Sequence, residues 1–291
     1  MNPKIEEARI NFVLRTWERR QIPFYTPEEC IKRALAKHKN VCVSWSGGKC
    51  STAVLHMTLQ LKPDIVVLNN DTGVEYPETR QYIKDMTAKW NINLHVSKPI
   101  TTFWKLVKTH GFPQMRALGI DKKKRPSVPI CCKRLKEDVV KGAYKRYMVD
   151  ADLDGLRVAE SRVRMIALAG YGQSYYTKGY KVWRYHPIIL WNEKQLNEYY
   201  TQHNIPLNPL YLKGFERSGC MPCTAFKNWA DNLSKANPKM YAYIMKRMGK
   251  PTMDEFLKSG KEMQQIVEEQ FVRECDQQIG KDKKGTLLEF M

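Results

Sequence analysis

Two pairs of cysteines are the residues of this 291-residue chain best suited to hold a metal centre. Cys131 and Cys132 are adjacent, and Cys220 and Cys223 enclose a Met-Pro dipeptide later in the chain. Thiolates from two such places can meet on one centre, and four of them suit Zn²⁺ or an iron–sulfur cluster. Adjacent cysteines are awkward around a tetrahedral zinc ion and suit the wider ligand spacing of a four-iron cluster better. Reduced structural thiols are the third interpretation.

A second candidate site is the segment 44–52, Ser-Trp-Ser-Gly-Gly-Lys-Cys-Ser-Thr. Gly47 and Gly48 let the backbone turn tightly, and the helix that starts after them supplies amide groups that bind anions. The side chains that can add to phosphate binding are Ser44, Ser46, Lys49, Ser51 and Thr52. The segment is not a Walker loop, because GxxxxGK[ST] is absent. It predicts a different phosphate-binding loop, placed between a strand and a helix.

Strand-like apolar runs alternate with helical patterns around this loop. The runs lie at 41–45, 65–68, 94–96 and 156–158, and the helices between them at 51–61, 79–90 and 134–147. This alternation predicts an α/β fold, a doubly wound parallel sheet with helices on both faces. Ligands of such sheets bind beyond the carboxyl ends of the strands, so we expect the site in the loops that follow the runs.

Helical segments flank the predicted sheet on both sides. Residues 1–39 predict two helices, and from about 190 onward a helical, proline-rich pattern predicts a cap packed on the sheet. We therefore expect an N-terminal helical segment at 1–39, a nucleotide-binding domain at 40–230 and a C-terminal helical extension at 231–291.

Polar residues after two of the predicted strands are further candidates for ligand binding. Asp71 and Thr72 end the second strand, where they would face the nucleotide or a Mg²⁺ ion. Arg157 and Arg162 follow from the fourth strand, and arginine there can neutralise phosphate charge. Pairing of these arginines with Glu160 is the structural alternative.

The chain is strongly basic, with 49 lysines and arginines against 30 aspartates and glutamates, a formal net charge of +19. Such an excess suits a polyanionic partner, a nucleic acid or an anionic nucleotide, unless it only solvates the surface. No run approaches the roughly 18 apolar residues of a membrane helix. The amino terminus lacks an apolar signal block. We therefore expect a cytoplasmic protein without a membrane partner.

Five motifs, in the same order, resemble those of one family. The loop SGGKCS at 46–51 resembles the SGGxDS loop of the adenine nucleotide alpha-hydrolase-like (PP-loop ATP pyrophosphatase) superfamily, in its phosphoadenylylsulfate (PAPS) reductase branch. DTGVEYPET at 71–79 resembles DTGxxFPET, and GLRVAESR at 155–162 resembles GxRxxES.R. HPIILW at 186–191 and the region from NPLY to the second cysteine pair at 208–223 resemble the remaining motifs, P-W and NPLY…GCxxC.

The resemblance implies a Rossmann-like fold, a nucleotide substrate that is ATP or else PAPS or adenylylsulfate (APS), and Mg²⁺. It also implies a [4Fe–4S] cluster on the CC…CxxC set, which many members of the branch hold. One residue departs from the pattern, because Cys50 replaces the aspartate of the loop. A carboxylate there would help order the loop or its metal. The thiol is either an inert side chain at the helix start or a group that handles sulfur.

Three functions fit this sequence. The first choice is an ATP pyrophosphatase that activates DNA or tRNA for sulfur insertion, as related DNA phosphorothioation enzymes and tRNA thiolases do. Its catalytic residues would be Lys49 and Arg157. A cysteine desulfurase would supply the sulfur. The alternative is a PAPS or APS reductase that uses thioredoxin and a nucleophilic tail cysteine. The candidate nucleophile is Cys275, which follows Glu274 as in the family's tail motif. The Gly-x-His that follows it in the family is missing, and this departure favours the pyrophosphatase. A non-catalytic basic nucleic-acid-binding module is the third.

Overall fold

The computed structural model describes residues 2–113, 129–225 and 228–248. Two helices open the chain, α1 (Pro3–Arg19) and α2 (Pro27–Lys37). Asn2 caps the first helix, and Thr26 forms a reciprocal capping box with Glu29 on the second. The two helices predicted at the amino terminus are confirmed.

In the described part of the chain, six strands form one sheet. They are β1 (Val41–Ser44), β2 (Val66–Asn70), β3 (Leu94–Ser97), β4 (Ala151–Leu153), β5 (Ser174–Thr177) and β6 (Val182–Tyr185). Their order across the sheet is β3-β2-β1-β4-β6-β5, and every neighbouring pair is parallel except β5 and β6. The chain builds outward from β1 in both directions, so a crevice opens beyond its carboxyl end.

Helices cover both faces of this sheet. Val41 and Val43 of β1 pack into the cluster that contains the helix after β1, whereas Cys42 packs against Ala143 and Tyr144 on the other face. The helices are α3 (Lys49–Leu61), α4 (Pro77–Lys89), α5 (Phe103–His110), α6 (Ile130–Cys132), α7 (Asp138–Arg146), α8 (Arg162–Tyr171), α9 (Glu193–Gln202), α10 (Pro209–Leu212), α11 (Trp229–Ala236) and α12 (Pro238–Met248). A π-helical segment, Lys133–Glu137, joins α6 to α7. The α/β doubly wound fold is confirmed.

None of the helices within the described ranges is both long and apolar enough to cross a membrane.

The fourth strand lies at Ala151–Leu153, so the predicted strand at 156–158 is wrong. A short 3₁₀ turn, Val158–Glu160, occupies the end of that run instead. The sequence does not indicate this strand because Asp152 lies in its middle, and a fully buried carboxylate is rare. The Tyr144 hydroxyl donates a 2.7 Å hydrogen bond to this carboxylate, and the Arg184 guanidinium lies 3.7 Å from it. These long-range partners make the buried charge tolerable.

The sequence analysis also missed the hairpin of β5 and β6. β6 lies beside β4, with Leu153 opposite Tyr185, and β5 turns back along it at the edge of the sheet. A signal was present, since aromatic and β-branched residues flank a turn that contains Gly179. Trp183 is 40% exposed on this hairpin.

The N-terminal helix packs against α8 and the start of α9. Val13 and Trp17 are buried beside α8, and the Trp17 indole donates to the Leu168 carbonyl at 3.3 Å. The buried Glu6 carboxylate accepts a 3.0 Å hydrogen bond from the Glu193 amide at the start of α9. The boundaries predicted at 1–39 and 231–291 remain predictions.

His56 gives the packing of α3 against α9 a pH dependence. Its Nδ1 lies 2.8 Å from the Tyr199 hydroxyl, and its ring centre lies 5.2 Å from that of His203, between α3 and α9. Burial lowers the pKa of His56, and His203 lowers it further. The unfolded chain therefore binds this proton more readily than the folded protein does.

We expect neutral His56 to contribute its full share to the free energy of unfolding above about pH 6.5. This share is lost as the pH falls further, because His56 protonates first in the unfolded chain. Urea unfolding of the wild type and His56→Gln, from about pH 8 to about pH 5, measures the difference. The variant should lose less unfolding free energy on acidification. Identical pH dependence of the two proteins would contradict the assignment.

Candidate functional site

A cavity of about 340 Å³ opens at the carboxyl ends of β1 and β2. Four regions form most of its walls: the end of β1 with the loop after it, the end of β2 with its loop, the helical segment from Lys136 to Ala143, and residues 217–220. Thr79 of α4 and Ser97 of β3 complete them. Its place is the crevice at which doubly wound sheets bind ligands, and its size suits a small molecule.

The predicted phosphate loop forms one wall of this cavity. Ser44, Trp45 and Ser46 line it directly. Gly47, with a φ of 71°, turns the chain from β1 towards α3 in a conformation that favours glycine. The Ser51 hydroxyl closes the loop from inside, because it accepts from the Ser46 amide at 3.2 Å and lies 3.1 Å from the Ser46 hydroxyl. The sequence therefore predicted the position and shape of this loop.

The NPLY segment holds the loop in place. The Asn208 side chain donates to the Gly47 carbonyl at 3.0 Å, and the Tyr211 hydroxyl accepts from the Lys49 amide at 3.1 Å. Both residues belong to the motif at 208–211, which the sequence analysis quoted without assigning it a task. Its contacts show that it fixes the backbone of the loop at Gly47 and Lys49.

Lys49 and Arg157, the two predicted catalytic residues of the described chain, do not line the cavity. Glu193 binds both, with Lys49 Nζ 2.7 Å from one carboxylate oxygen and Arg157 Nη2 2.8 Å from the other. Burial alone would raise the pKa of Glu193, but the hydrogen bond from Lys49 and the charge of Arg157 lower it. Arg157 also lies 3.7 Å from Glu160, the structural pairing left open by the sequence. The two cations thus tie the phosphate loop to the turn after β4.

Thr52, Arg162 and Cys50 also lie outside the residues that line the cavity. Thr52 is fully buried and accepts a 2.9 Å hydrogen bond from the Trp45 indole, so it supports the loop from behind. Arg162 begins α8. The Cys50 thiol donates to Glu160 at 3.3 Å, and burial raises its pKa, which fits the inert side chain of the two alternatives.

The loop after β2 brings a carboxyl group to the cavity. Thr72 lines it, and the Thr72 amide and hydroxyl donate to one oxygen of Glu75 at 2.7 and 2.9 Å. Burial raises the pKa of Glu75, and a hydrogen bond with Asp71 raises it further. Asp71 lies behind the wall and accepts from the Gly73 amide at 2.9 Å. Glu75 is thus a cavity residue that the sequence analysis quoted but did not assign.

The second cysteine pair is attached to this same loop. Glu75 and Cys220 form an isolated antiparallel bridge, and the Met221 amide donates to the Val74 carbonyl at 2.8 Å. The sulfur of Cys220 lies 3.6 Å from the Thr72 hydroxyl and lines the cavity. The cavity and the cysteine site therefore share a wall.

The first cysteine pair joins the second. The Cys131 thiol donates to the Cys132 sulfur, which raises the pKa of Cys131 and lowers that of Cys132 to about 6. Burial, then the charges of Cys220 and Cys132, raise the pKa of Cys223. The charge of Cys220, with those of Cys132 and Cys223, raises the pKa of Lys136. These mutual interactions show that the two cysteine pairs lie near each other. Their binding to one metal centre stays a prediction.

The arrangement of the thiols bears on what they can hold. In residues 2–113, 129–225 and 228–248, no three His, Cys, Asp or Glu side chains are arranged to hold a metal ion. Zinc draws four thiolates to about 2.3 Å around one atom, an arrangement that the described side chains do not form. A four-iron cluster separates its ligands more widely. Four thiols with the cations Lys136 and Arg217 beside Cys132 are a donor set that fits such a cluster.

Several residues of the cavity wall were not predicted as ligands. Arg217 and Ser218 line the cavity and directly precede the second cysteine pair. Their closeness in sequence to Cys220 could have indicated that they lie at the site. Asn69 lines the cavity and donates to the Trp45 carbonyl at 2.8 Å, at the carboxyl end of β2. The others are Asn70, Thr79, Ser97 and Lys136. Cys275 lies outside the described residues.

Residues 40–226 match the family model described as the phosphoadenosine phosphosulfate reductase domain. The chain belongs to this family. The match covers nearly the same residues as the motifs quoted above, so the resemblance is confirmed. The loop, the cavity and the cysteine site all lie within the PAPS reductase domain.

Relatives with reductase names cover most of the chain. The phosphoadenosine 5′-phosphosulfate reductase of Alkalilimnicola ehrlichii is 25% identical over 225 residues, 77% of this chain and 85% of that protein. That of Shewanella oneidensis is 30% identical over 183 residues, 62% of this chain and 68% of that protein. These relatives are enzymes, and the prediction of an enzyme of the PAPS reductase family is confirmed.

A solved structure shows the same fold. The PAPS reductase of Candida auris, a phosphate complex, aligns with a TM-score of 0.52 and 20% identity, over 67% of this chain and 88% of that chain.

Proposed function

We propose that the protein binds a sulfonucleotide, PAPS or APS, in the cavity and reduces its sulfo group to sulfite beside a [4Fe–4S] cluster. Cys131, Cys132, Cys220 and Cys223 would hold the cluster, which supplies a redox-capable centre at that end of the cavity. The observation that carries the proposal is the shared wall, because Ser46 of the phosphate loop and Cys220 line one cavity of about 340 Å³.

The charges around the cavity suit the anionic end of such a substrate. The loop between β1 and α3 would bind the 5′-phosphate through backbone amides at the start of the helix, with the Ser46 hydroxyl at the cavity wall. Lys136 and Arg217 line the same cavity near the thiols, where they can neutralise the sulfo group. Lys136 and Arg217 would therefore orient the sulfur of the sulfo group towards the cysteine site.

The reduction needs a thiolate that the described part of the chain does not supply. Cys220 is the one cysteine among the described residues that lines the cavity, and it is a proposed cluster ligand. Cys275 is our candidate: its thiolate attacks the sulfur, the bond from sulfur to the phosphate oxygen breaks, and the nucleotide leaves. A dithiol protein such as thioredoxin then attacks the thiosulfonate, releases sulfite and becomes a disulfide.

A second candidate is the ATP pyrophosphatase that activates DNA or tRNA. Its support is the net charge of +19, which a small substrate does not require. Mg²⁺, which that reaction needs, would find the carboxyl groups of Glu75 and Asp71 near the cavity, and a cysteine desulfurase would supply sulfur. Against it, Lys49 is bound to Glu193, and Cys50 stands where the loop has its aspartate.

One pair of assays separates the two functions. Anaerobically purified protein is given PAPS or APS with reduced thioredoxin, and separately ATP and Mg²⁺ with DNA or tRNA. We expect sulfite in the first assay and no pyrophosphate above background in the second. Cys275→Ala should abolish sulfite production while the protein stays folded. Pyrophosphate release stimulated by nucleic acid, without sulfite, would overturn the reductase proposal.

A further inference from the structure

Tyr76 presents a buried hydroxyl to the second cysteine pair. Its side chain is 2% exposed, and its ring packs edge-on against Phe215 with the ring centres 5.3 Å apart. The hydroxyl has no hydrogen-bond partner among the described residues. The groups that act on it electrostatically are Cys223, Glu78 and Cys220. Two of these three groups are sulfurs of the proposed cluster site, and the bridge between Glu75 and Cys220 places the backbone of Tyr76 next to that segment.

The backbone keeps the hydroxyl in that position. Tyr76 caps the start of α4, immediately after the bridge between Glu75 and Cys220. The Met221 amide, which donates to the Val74 carbonyl, ties the same two segments together a second time. Rotation of the ring away from the cysteines would also break its contact with Phe215.

A buried hydroxyl without a partner is unfavourable and needs a physical reason. Packing alone does not supply one, because a phenylalanine would fill the same space without burying a hydroxyl. The phenol is a hydrogen-bond donor at neutral pH, and a thiolate is a much better acceptor than a thiol. A metal-bound thiolate at a neighbouring sulfur would supply such a partner.

We propose that Tyr76 donates a hydrogen bond to the Cys223 thiolate of the cluster-loaded protein and thereby raises the reduction potential of the cluster. The inference rests on the part of the proposed function that places a [4Fe–4S] cluster on the four cysteines. A hydrogen bond to a ligand sulfur stabilises the reduced state, which carries more negative charge. Tyr76 thus acts through Cys223 and is a positioning residue.

Thr72 is the other hydroxyl near these sulfurs. It lies 3.6 Å from the Cys220 sulfur, but it already bonds the Glu75 carboxylate at 2.9 Å. Its donor is therefore engaged, whereas the donor of Tyr76 has no other use in the described residues.

Tyr76→Phe tests this role, with Tyr82→Phe as the matched control. Tyr82 is also a buried residue of this region, and its hydroxyl donates to the Pro206 carbonyl at 2.8 Å. Each full-length protein is loaded with iron and sulfide under anaerobic conditions. The measurements are iron content, the midpoint potential from a redox titration followed by electron paramagnetic resonance, and the melting temperature of the metal-free protein.

We expect Tyr76→Phe to bind as much iron as the wild type, with a more negative midpoint potential. Its metal-free form should melt at the same or a higher temperature, because the removed hydroxyl had no partner there. Tyr82→Phe should melt at a lower temperature and keep the wild-type potential, since the hydrogen bond it loses goes to the Pro206 carbonyl and not to a cysteine.

An unchanged potential in iron-loaded Tyr76→Phe overturns the role of Tyr76 and leaves the cluster proposal standing. A lower melting temperature of its metal-free form shows that the hydroxyl already had a partner, and overturns the argument. Wild-type protein that binds no iron overturns the cluster proposal and this inference together.

Discussion

Cys220→Ser and Cys223→Ser are each expected to remove bound iron and to abolish sulfite production. The two thiols lie in the segment that shares its wall with the nucleotide cavity, and serine does not replace a thiolate as a ligand. Iron should fall from about four atoms per chain to near zero, with loss of the broad absorbance of the cluster near 400 nm. Anaerobic iron and sulfide analysis with absorption spectroscopy measures both.

Cys30→Ala is the matched control for the ligand variants. Cys30 is a buried cysteine of α2 that packs in the main core beside Ile31 and Ala34. The substitution should lower stability by about 1 kcal/mol through lost packing and leave the iron content unchanged. Full iron in Cys223→Ser, or stoichiometric zinc in anaerobic wild-type protein, would contradict the cluster assignment.

Gly155→Ala is expected to weaken nucleotide binding by at least about tenfold, about 1.4 kcal/mol. A Cβ at this position would lie 2.5 Å from the Cys50 carbonyl carbon and 2.6 Å from the Ser51 amide nitrogen. Both atoms are backbone of the first turn of α3, so the clash is relieved only when the phosphate loop moves. Titration calorimetry with APS measures the change in affinity.

Gly179→Ala serves as the control for this change. A Cβ there would meet nothing within 4 Å, in the turn between β5 and β6. Its affinity for APS should equal that of the wild type. A folded Gly155→Ala protein that binds APS as tightly as the wild type would show that the loop does not depend on this close approach.

The ion pairs at Glu193 change the roles expected of the loop. A lysine inside a phosphate loop suggests a direct phosphate contact, but Lys49 and Arg157 both bind Glu193, and Arg157 is only 3% exposed. Glu6 of the N-terminal helix in turn binds the backbone of Glu193. The cations that face the cavity, Lys136 and Arg217, come from other segments.

The amino-acid sequence alone determined the parts of this protein that depend on local pattern. Two adjacent glycines between an apolar run and a helix predicted the phosphate loop, because the tight turn and the free helix amides are local properties. Short apolar runs predicted β1 to β3, and the spacing of apolar residues predicted the helices between them. The runs are uninterrupted at the start of the central strands β1 and β2, because these strands are covered on both faces, whereas apolar and polar residues alternate in β3 at the edge of the sheet.

Only the tertiary structure decided which polar groups meet. The strand at 151–153 escaped prediction because its buried Asp152 is compensated by Tyr144 and Arg184 from other elements. The sequence likewise named Lys49 as a ligand, but the carboxylate that binds it is Glu193, far along the chain. Whether a charged side chain is buried in an ion pair or can bind a ligand depends on partners from other elements of the fold. The sequence around the charged residue does not reveal these partners.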